Sequence, residues 1–162
     1  TALGQVRGVA GRFETVDNPG GALLVVDYAH SPAALALALQ ACRDLCTGRL
    51  FVVFGCGGDR DAGKRPQMGR VASEGADVVV LTSDNPRSED PQRILDDVLQ
   101  GVDEPGYVDV DRAAAIRWAV HQSTAGDVVL VAGKGHETYQ EVNGVRHDFD
   151  DRVQLAQAVE EA

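Results

Sequence analysis

The sequence predicts an α/β domain built on a doubly wound, mostly parallel sheet and closed by a C-terminal β-hairpin and a last helix. Three observations predict it. Four near-continuous apolar runs rich in β-branched residues recur along the chain without polar alternation, as strands buried on both faces of a parallel sheet require. The segments between them carry helix-start signals, so strand and helix alternate. Near the end, Asn143-Gly144 stands between two alternating stretches, the signature of a tight two-residue hairpin turn.

Taken in order, residues 1–21 are glycine-rich and weakly patterned, with "DNPGG" (Asp17 to Gly21) as a turn. They read as an entry segment, and the domain proper is expected over 22–162. "ALLVVDY" (Ala22 to Tyr28) is the first strand. In "SPAALALALQACRDLC" Ser31 is the N-cap and Pro32 the first helical residue, where its missing N–H costs nothing. "LFVVFG" (Leu50 to Gly55) is the second strand, followed by a glycine-rich loop and a helix. "DVVVLT" (Asp77 to Thr82) is the third, and Asp90-Pro91 repeats the cap-and-proline device for the helix after it. A further helix starts at Asp111. "DVVLVAG" (Asp127 to Gly133) is the fourth strand, "TYQEVNGVRHDF" the hairpin, and a helix from Asp150 to about Glu160 ends the chain. There is no internal repeat at solenoid spacing.

The 162 residues suit one domain with a real core. A formal net charge of -10 argues against a nucleic-acid backbone or an anionic membrane as partner, since the summed field repels both, and favours a small-molecule ligand. No apolar stretch reaches bilayer-spanning length, and "TALGQVRGVAGRFE" lacks the order of a signal peptide, so a cytoplasmic location is expected. Three cysteines leave an odd one in any pairing and none has zinc-ligand spacing. Cys42 and Cys46, at i and i+4 on a helix, read as small thiols in a reducing compartment, and no metal site is expected.

In open parallel sheets ligands bind beyond the carboxyl ends of the strands. "DYAHSP", "GCGGDRDAGKRP", "SDNPRSEDP" and "GKGHE" all fall there. In the second, Gly58, Gly63 and Lys64 fit G-x-x-x-x-G-K, but Arg65-Pro66 follows where a phosphate-binding loop needs Ser or Thr for magnesium. Arg60, fixed between Asp59 and Asp61, reads instead as a forked donor for a ligand carboxylate, against the blander reading of a glycine-rich turn with its charges in solvent. In "DNPR", Pro86 biases Asn85 to an extended conformation, which sets the directions of Asn85 and Arg87. Asp84 can accept from an ammonium, Asn85 can donate or accept, and Arg87 can clamp a carboxylate. "GKGHE" offers close backbone approach at Gly133 and Gly135, a cation at Lys134, a titratable His136 and an acceptor at Glu137. His30 precedes a helix N-terminus, which favours an anion such as phosphate. His121 and His147 read as structural or solvent-facing.

Together these segments resemble the Mur ligases, in particular the branch of UDP-N-acetylmuramoyl-tripeptide synthetases (the MurE type) that adds the third residue of the peptidoglycan stem peptide. The likeness runs from "GRFE" at Gly11 through "VVDYAHSP", "FGCGGDRDAGKRP", "SDNPRSEDP" and "VAGKGHETYQ" to the last helix. It implies a Rossmann-like C-terminal domain that binds the incoming amino acid, with Arg60, Asp84, Asn85, Arg87, Gly133 and Glu137 lining the pocket and His30 near the nucleotide. "DNPR" is the specificity motif of relatives that add meso-diaminopimelate, so Arg87 implies that amino acid. The arginine would face lysine's terminal ammonium as a desolvated like charge, giving specificity by repulsion as well. The family's N-terminal UDP-sugar domain and central ATPase domain, with its P-loop and magnesium ligands, are not represented in this sequence. ATP and Mg2+ are therefore expected to act in a full-length enzyme and not on this domain alone, which is expected to be an inactive excised piece, with no certain catalytic residue of its own.

Two other classes compete. One is a stand-alone α/β module that binds a small molecule without chemistry. The other is a P-loop phosphotransferase, which predicts ATP binding that is lost on Lys64→Ala.

Overall fold

The computed structural model describes residues 11–162. The chain runs β1 (Glu14–Val16), β2 (Leu23–Asp27), α1 (Pro32–Leu45), β3 (Leu50–Phe54), α2 (Lys64–Gly75), β4 (Val78–Leu81), α3 (Pro91–Leu99), β5 (Tyr107–Val108), α4 (Arg112–Gln122), β6 (Val128–Ala132), β7 (Tyr139–Val142), β8 (Val145–Asp148) and α5 (Asp151–Glu160). β1 to β6 form one sheet in the order β1-β2-β6-β3-β4-β5, all pairs parallel except β1 with β2. The doubly wound expectation holds, with β7 and β8 as a separate antiparallel hairpin.

The apolar runs lack alternation because both faces are covered. Val25, Leu130, Val52 and Val79 share one pleat row and face α1, α2 and α3. Their neighbours Val26, Val131, Val53 and Val80 form the next row and face α4 and α5. Each helix carries an apolar stripe to its layer, such as Leu35, Leu39 and Cys42 of α1 and Ile94, Leu95 and Val98 of α3. Burial pushes the Cys42 and Cys56 thiols up to about 12, so both stay protonated.

The caps are those expected: Ser31, Asp90, Asp111 and Asp150 each accept from a first-turn backbone N–H. Asn143 and Gly144 have φ of 51° and 77°, the paired left-handed values of the expected hairpin turn. Two strands lie where no run announced them. Glu14–Val16, inside the stretch read as an entry segment, is an antiparallel edge strand of only three residues. Its upstream part, residues 1–10, lies outside the described residues. Tyr107–Val108 is too short for a pattern, and the Tyr107 ring stacks on Trp118 at 4.9 Å. No helix among the described residues is long and apolar enough to cross a membrane.

Candidate functional site

Because β2, β3, β4 and β6 run parallel, their carboxyl ends share one edge, and the four loops that follow enclose a cleft of about 380 Å3. That volume suits a small molecule. Its wall holds all seven residues singled out from the sequence: His30 after β2, Arg60 after β3, Asp84, Asn85 and Arg87 after β4, and Gly133 and Glu137 after β6. Lys64 and Tyr28 join them. Arg60, Lys64 and Arg87 set three cations against the carboxylates of Asp84 and Glu137, so a chain of strongly negative charge presents mixed signs here. His136 is exposed beside Tyr28, with ring centroids 6.0 Å apart, and is outside the lining.

The "DNPR" turn is built rigidly. Asn85 Oδ1 accepts from Lys134 Nζ at 2.8 Å and from the Glu141 backbone N–H at 3.0 Å. Asp84 sits with its carboxylate 3.6 Å from Lys134 Nζ, and its carbonyl accepts from Gln140 Nε2 at 2.8 Å. Arg87 takes φ of 54°, and its backbone bonds to Glu141 and Asn143 at 3.0 and 2.8 Å, which splices the hairpin onto the turn. Its guanidinium donates to Gly58 O at 2.9 Å and lies 3.3 Å from Glu141 Oε2. Arg87 is thus aimed before any ligand arrives. Gly133, at φ of 116°, has no Cβ for a packing reason: one would fall 2.5 Å from Asp84 Oδ2.

Two details differ from the sequence reading. Arg60 is not fixed by the carboxylates on either side. Asp59 spends its own on Ser88, Asp61 caps the Gly63 N–H at 2.9 Å, and Arg60 donates to the Asp59 carbonyl at 3.0 Å while remaining exposed. Lys134 is not a cation offered to a ligand, because it is fully buried beneath the cleft.

The P-loop lookalike has four of its backbone N–H groups already bonded within the protein. Such a cradle needs free backbone N–H groups. Here those of Gly58, Asp59, Gly63 and Arg65 donate to Asn85 O, Glu89 Oε1, Asp61 Oδ1 and Ala62 O. Gly58 is glycine because a Cβ would strike the Pro86 carbonyl, so this loop serves to carry the "DNPR" turn. Arg65, which broke the motif, is buried and donates to Glu89 through both terminal nitrogens (3.0 and 2.8 Å), to Asp97 (3.0 Å) and to Gly57 O (3.1 Å). Those hydrogen bonds, with one from the Asp59 N–H, hold the Glu89 carboxyl down at about 2. At the cleft's outer edge Lys64 Nζ donates to His30 O at 2.9 Å, and His30 Nδ1 lies 2.9 Å from Tyr28 O.

Sequence reasoning passed over Arg112, took Arg65 only as a break in the phosphate-loop motif and read Lys134 as facing a ligand. Only the burial of these charges marks their role, and burial is a property of the assembled fold.

Comparison with known proteins places these residues in context. The family model for the Mur ligase, glutamate ligase domain, matches residues 11–135. A UDP-N-acetylmuramoyl-L-alanyl-D-glutamate–2,6-diaminopimelate ligase from Chromobacterium violaceum is 55% identical over 152 residues, covering 92% of this chain and 31% of that protein. The ligase of the same name from Xanthomonas oryzae is 52% identical over 162 residues, covering 98% of this chain and 33% of its own. A solved structure of such a ligase superposes with a TM-score of 0.89 at 48% identity, over 97% of this chain and 33% of that one. MurF ligase from Thermotoga maritima in complex with ADP, at 18% identity and a TM-score of 0.62, shares the fold, over 97% of this chain and 32% of its own. The chain spans about a third of the length of the curated relatives it matches.

Proposed function

Since the chain belongs to the Mur ligase family, we propose that it is the amino-acid-binding domain of a cytoplasmic, ATP-dependent ligase that adds meso-diaminopimelate to UDP-N-acetylmuramoyl-L-alanyl-D-glutamate in peptidoglycan synthesis. The observation that carries the reading is a pre-aimed Arg87 in a cleft that also holds Asp84, Asn85, Arg60 and Glu137. A ligand bearing two ammonium and two carboxylate groups matches that set. Arg87 would take the distal carboxylate as a forked pair, Arg60 would reach a carboxylate from the exposed side, and Asp84 and Glu137 would accept from ammonium groups.

In the reaction proposed, ATP transfers its terminal phosphoryl group to the D-glutamyl carboxylate, giving an acyl phosphate and ADP. The diaminopimelate amine then attacks the acyl carbon, the bond to phosphate breaks, phosphate leaves and the amine gives up a proton. This chain's share is to hold the amine in line and keep water from the acyl phosphate. Among the described residues no group of three or more His, Cys, Asp or Glu side chains could hold a metal ion. ATP and magnesium are assigned to the central domain of the full-length enzyme and the UDP-sugar to its N-terminal domain, with His30 nearest the nucleotide. The domain is taken as 22–162 with residues 1–21 leading in, of which Glu14–Val16 adds an edge strand to its sheet, inactive alone, and with neither nucleic acid nor membrane as partner.

The test is a ligase assay on the full-length enzyme that reads amino-acid-dependent phosphate release. Turnover with meso-diaminopimelate and none with L-lysine supports the reading. Equal turnover with lysine contradicts it.

A further inference from the structure

Lys134 is a charge with no exposure at all, and both of its polar partners are cleft residues, Asp84 and Asn85. An apolar side chain could fill the same space, and a buried ammonium costs several kcal/mol unless paired. Burial does push its pKa below the ordinary lysine value, while the Asp84 carboxylate pulls the other way. Gly133 and Gly135, both at positive φ, bring the chain in and out around it, and the Tyr139 ring lies 5.8 Å from the ammonium.

The consequence falls on Asn85. An amide can turn either end toward a ligand, and the two ends select opposite chemistry: Oδ1 accepts from an ammonium, Nδ2 donates to a carboxylate. Here the Lys134 ammonium and the Glu141 N–H are pure donors, and together they occupy both lone pairs of Oδ1. Among the described residues nothing accepts from Nδ2, and Asn85 lines the cleft. We infer that Lys134 is a positioning residue that fixes Asn85 as a donor, so that Asn85 reads a carboxylate of the amino acid and leaves its ammonium groups to Asp84 and Glu137. This rests on the reading of the cleft given above.

The experiment is calorimetric titration of the chain, and of the full-length ligase, with meso-diaminopimelate, using wild type, Lys134→Met, Lys134→Arg, Asn85→Ala and the Lys134→Met/Asn85→Ala double variant. Lys134→Met should weaken binding about 10-fold or more, and Lys134→Arg, which keeps a donor, should recover part of it. If Lys134 acts through Asn85, the double variant binds no more weakly than Asn85→Ala alone. Full wild-type affinity in Lys134→Met, or losses that add in the double variant, would overturn the inference. If Lys134→Met does not fold, a crystal structure of the wild type with diaminopimelate decides. A ligand carboxylate on Asn85 Nδ2 with Lys134 still on Oδ1 supports it, and a ligand ammonium on Oδ1 or no carboxylate at Nδ2 overturns it. Absence of binding by both wild-type proteins would instead sink the reading of the cleft itself.

Discussion

Arg112 and Asp151 meet in a two-pronged ion pair, 2.8 Å on each prong, with neither side chain reaching solvent. Arg112 also donates to Ser83 O at 3.0 Å and Ala132 O at 3.1 Å, the carbonyls from which the β4 and β6 loops depart into the cleft. Burial opposes the charge of Arg112, but Asp151, with Asp84 and Glu137 behind it, outweighs this and raises its pKa. Asp151→Asn leaves the Arg112 charge unpaired in the interior, and Arg112→Met leaves the Asp151 carboxylate and two carbonyls unpaired there. Either should cost about 3 to 5 kcal/mol, which is about 10 °C or more of melting temperature for a chain of this size. Thermal unfolding followed by circular dichroism checks this.

Arg65 predicts an acid-dependent stability. The Glu89 carboxyl is lowered from 4.5 to about 2 by its bonds to Arg65 and the Asp59 N–H. A depressed carboxylate contributes stability that is whole above its unfolded value of 4.5 and is lost as pH falls through about 2. In Arg65→Met the larger part of that contribution is lost and the part from the Asp59 N–H remains. Urea midpoints taken from neutral pH down to about 2 should therefore show a shallower acid decline for the variant than for wild type. At neutral pH the variant should be less stable by about 2 kcal/mol, from the lost charged hydrogen bonds.

Arg87 separates binding from stability. Its φ of 54° is a left-handed conformation that strains a side-chain-bearing residue by about 1 kcal/mol or more and suits glycine. Arg87→Gly relieves that strain while losing the half-buried contacts to Gly58 and Glu141. The melting temperature should change by no more than a few degrees, about 1 kcal/mol. Affinity for meso-diaminopimelate should fall about 10- to 100-fold, the worth of a charged hydrogen-bond pair. A variant that binds normally would show that Arg87 is structural.

Gly133 and Gly144 form a control pair. Both have positive φ, 116° and 77°, but a Cβ on Gly133 would crowd Asp84 Oδ2 at 2.5 Å, whereas nothing lies within 4 Å of one on Gly144. Alanine at Gly144 should cost only the backbone strain, about 1 kcal/mol, and leave ligand affinity unchanged. Alanine at Gly133 should cost more and weaken binding too, because the Asp84 carboxylate must move. Parallel denaturation and calorimetry on the two variants separate these effects.

What was legible in the sequence was what local chemistry determines. The runs at Leu50–Phe54 and Val128–Ala132 declared buried parallel strands, Asp90-Pro91 declared a helix start, and Asn143-Gly144 declared its turn. Strand polarity then put four polar loops at one edge, which is why the cleft residues could be named before any coordinates. The order of the strands could not be read, since β6 inserts between β2 and β3 through side-chain packing over long separations. Nor could the partners of buried charges. Lys134 reads like a ligand-facing cation in "GKGHE", and only the two flanking left-handed glycines and the proximity of Asn85 turn it inward. Arg60 lines the cleft but is held otherwise than its neighbours suggested, because those carboxylates bond Ser88 and the Gly63 N–H.

The most direct measurement is an amide NMR titration of this chain and of the full-length ligase with meso-diaminopimelate, run beside L-lysine. The prediction is saturable shifts centred on Asn85, Arg87 and Glu137 with diaminopimelate and none with lysine. Equal shifts with lysine, or diaminopimelate shifts that lie away from the cleft in both proteins, would contradict the claim that Arg87 reads a distal carboxylate there.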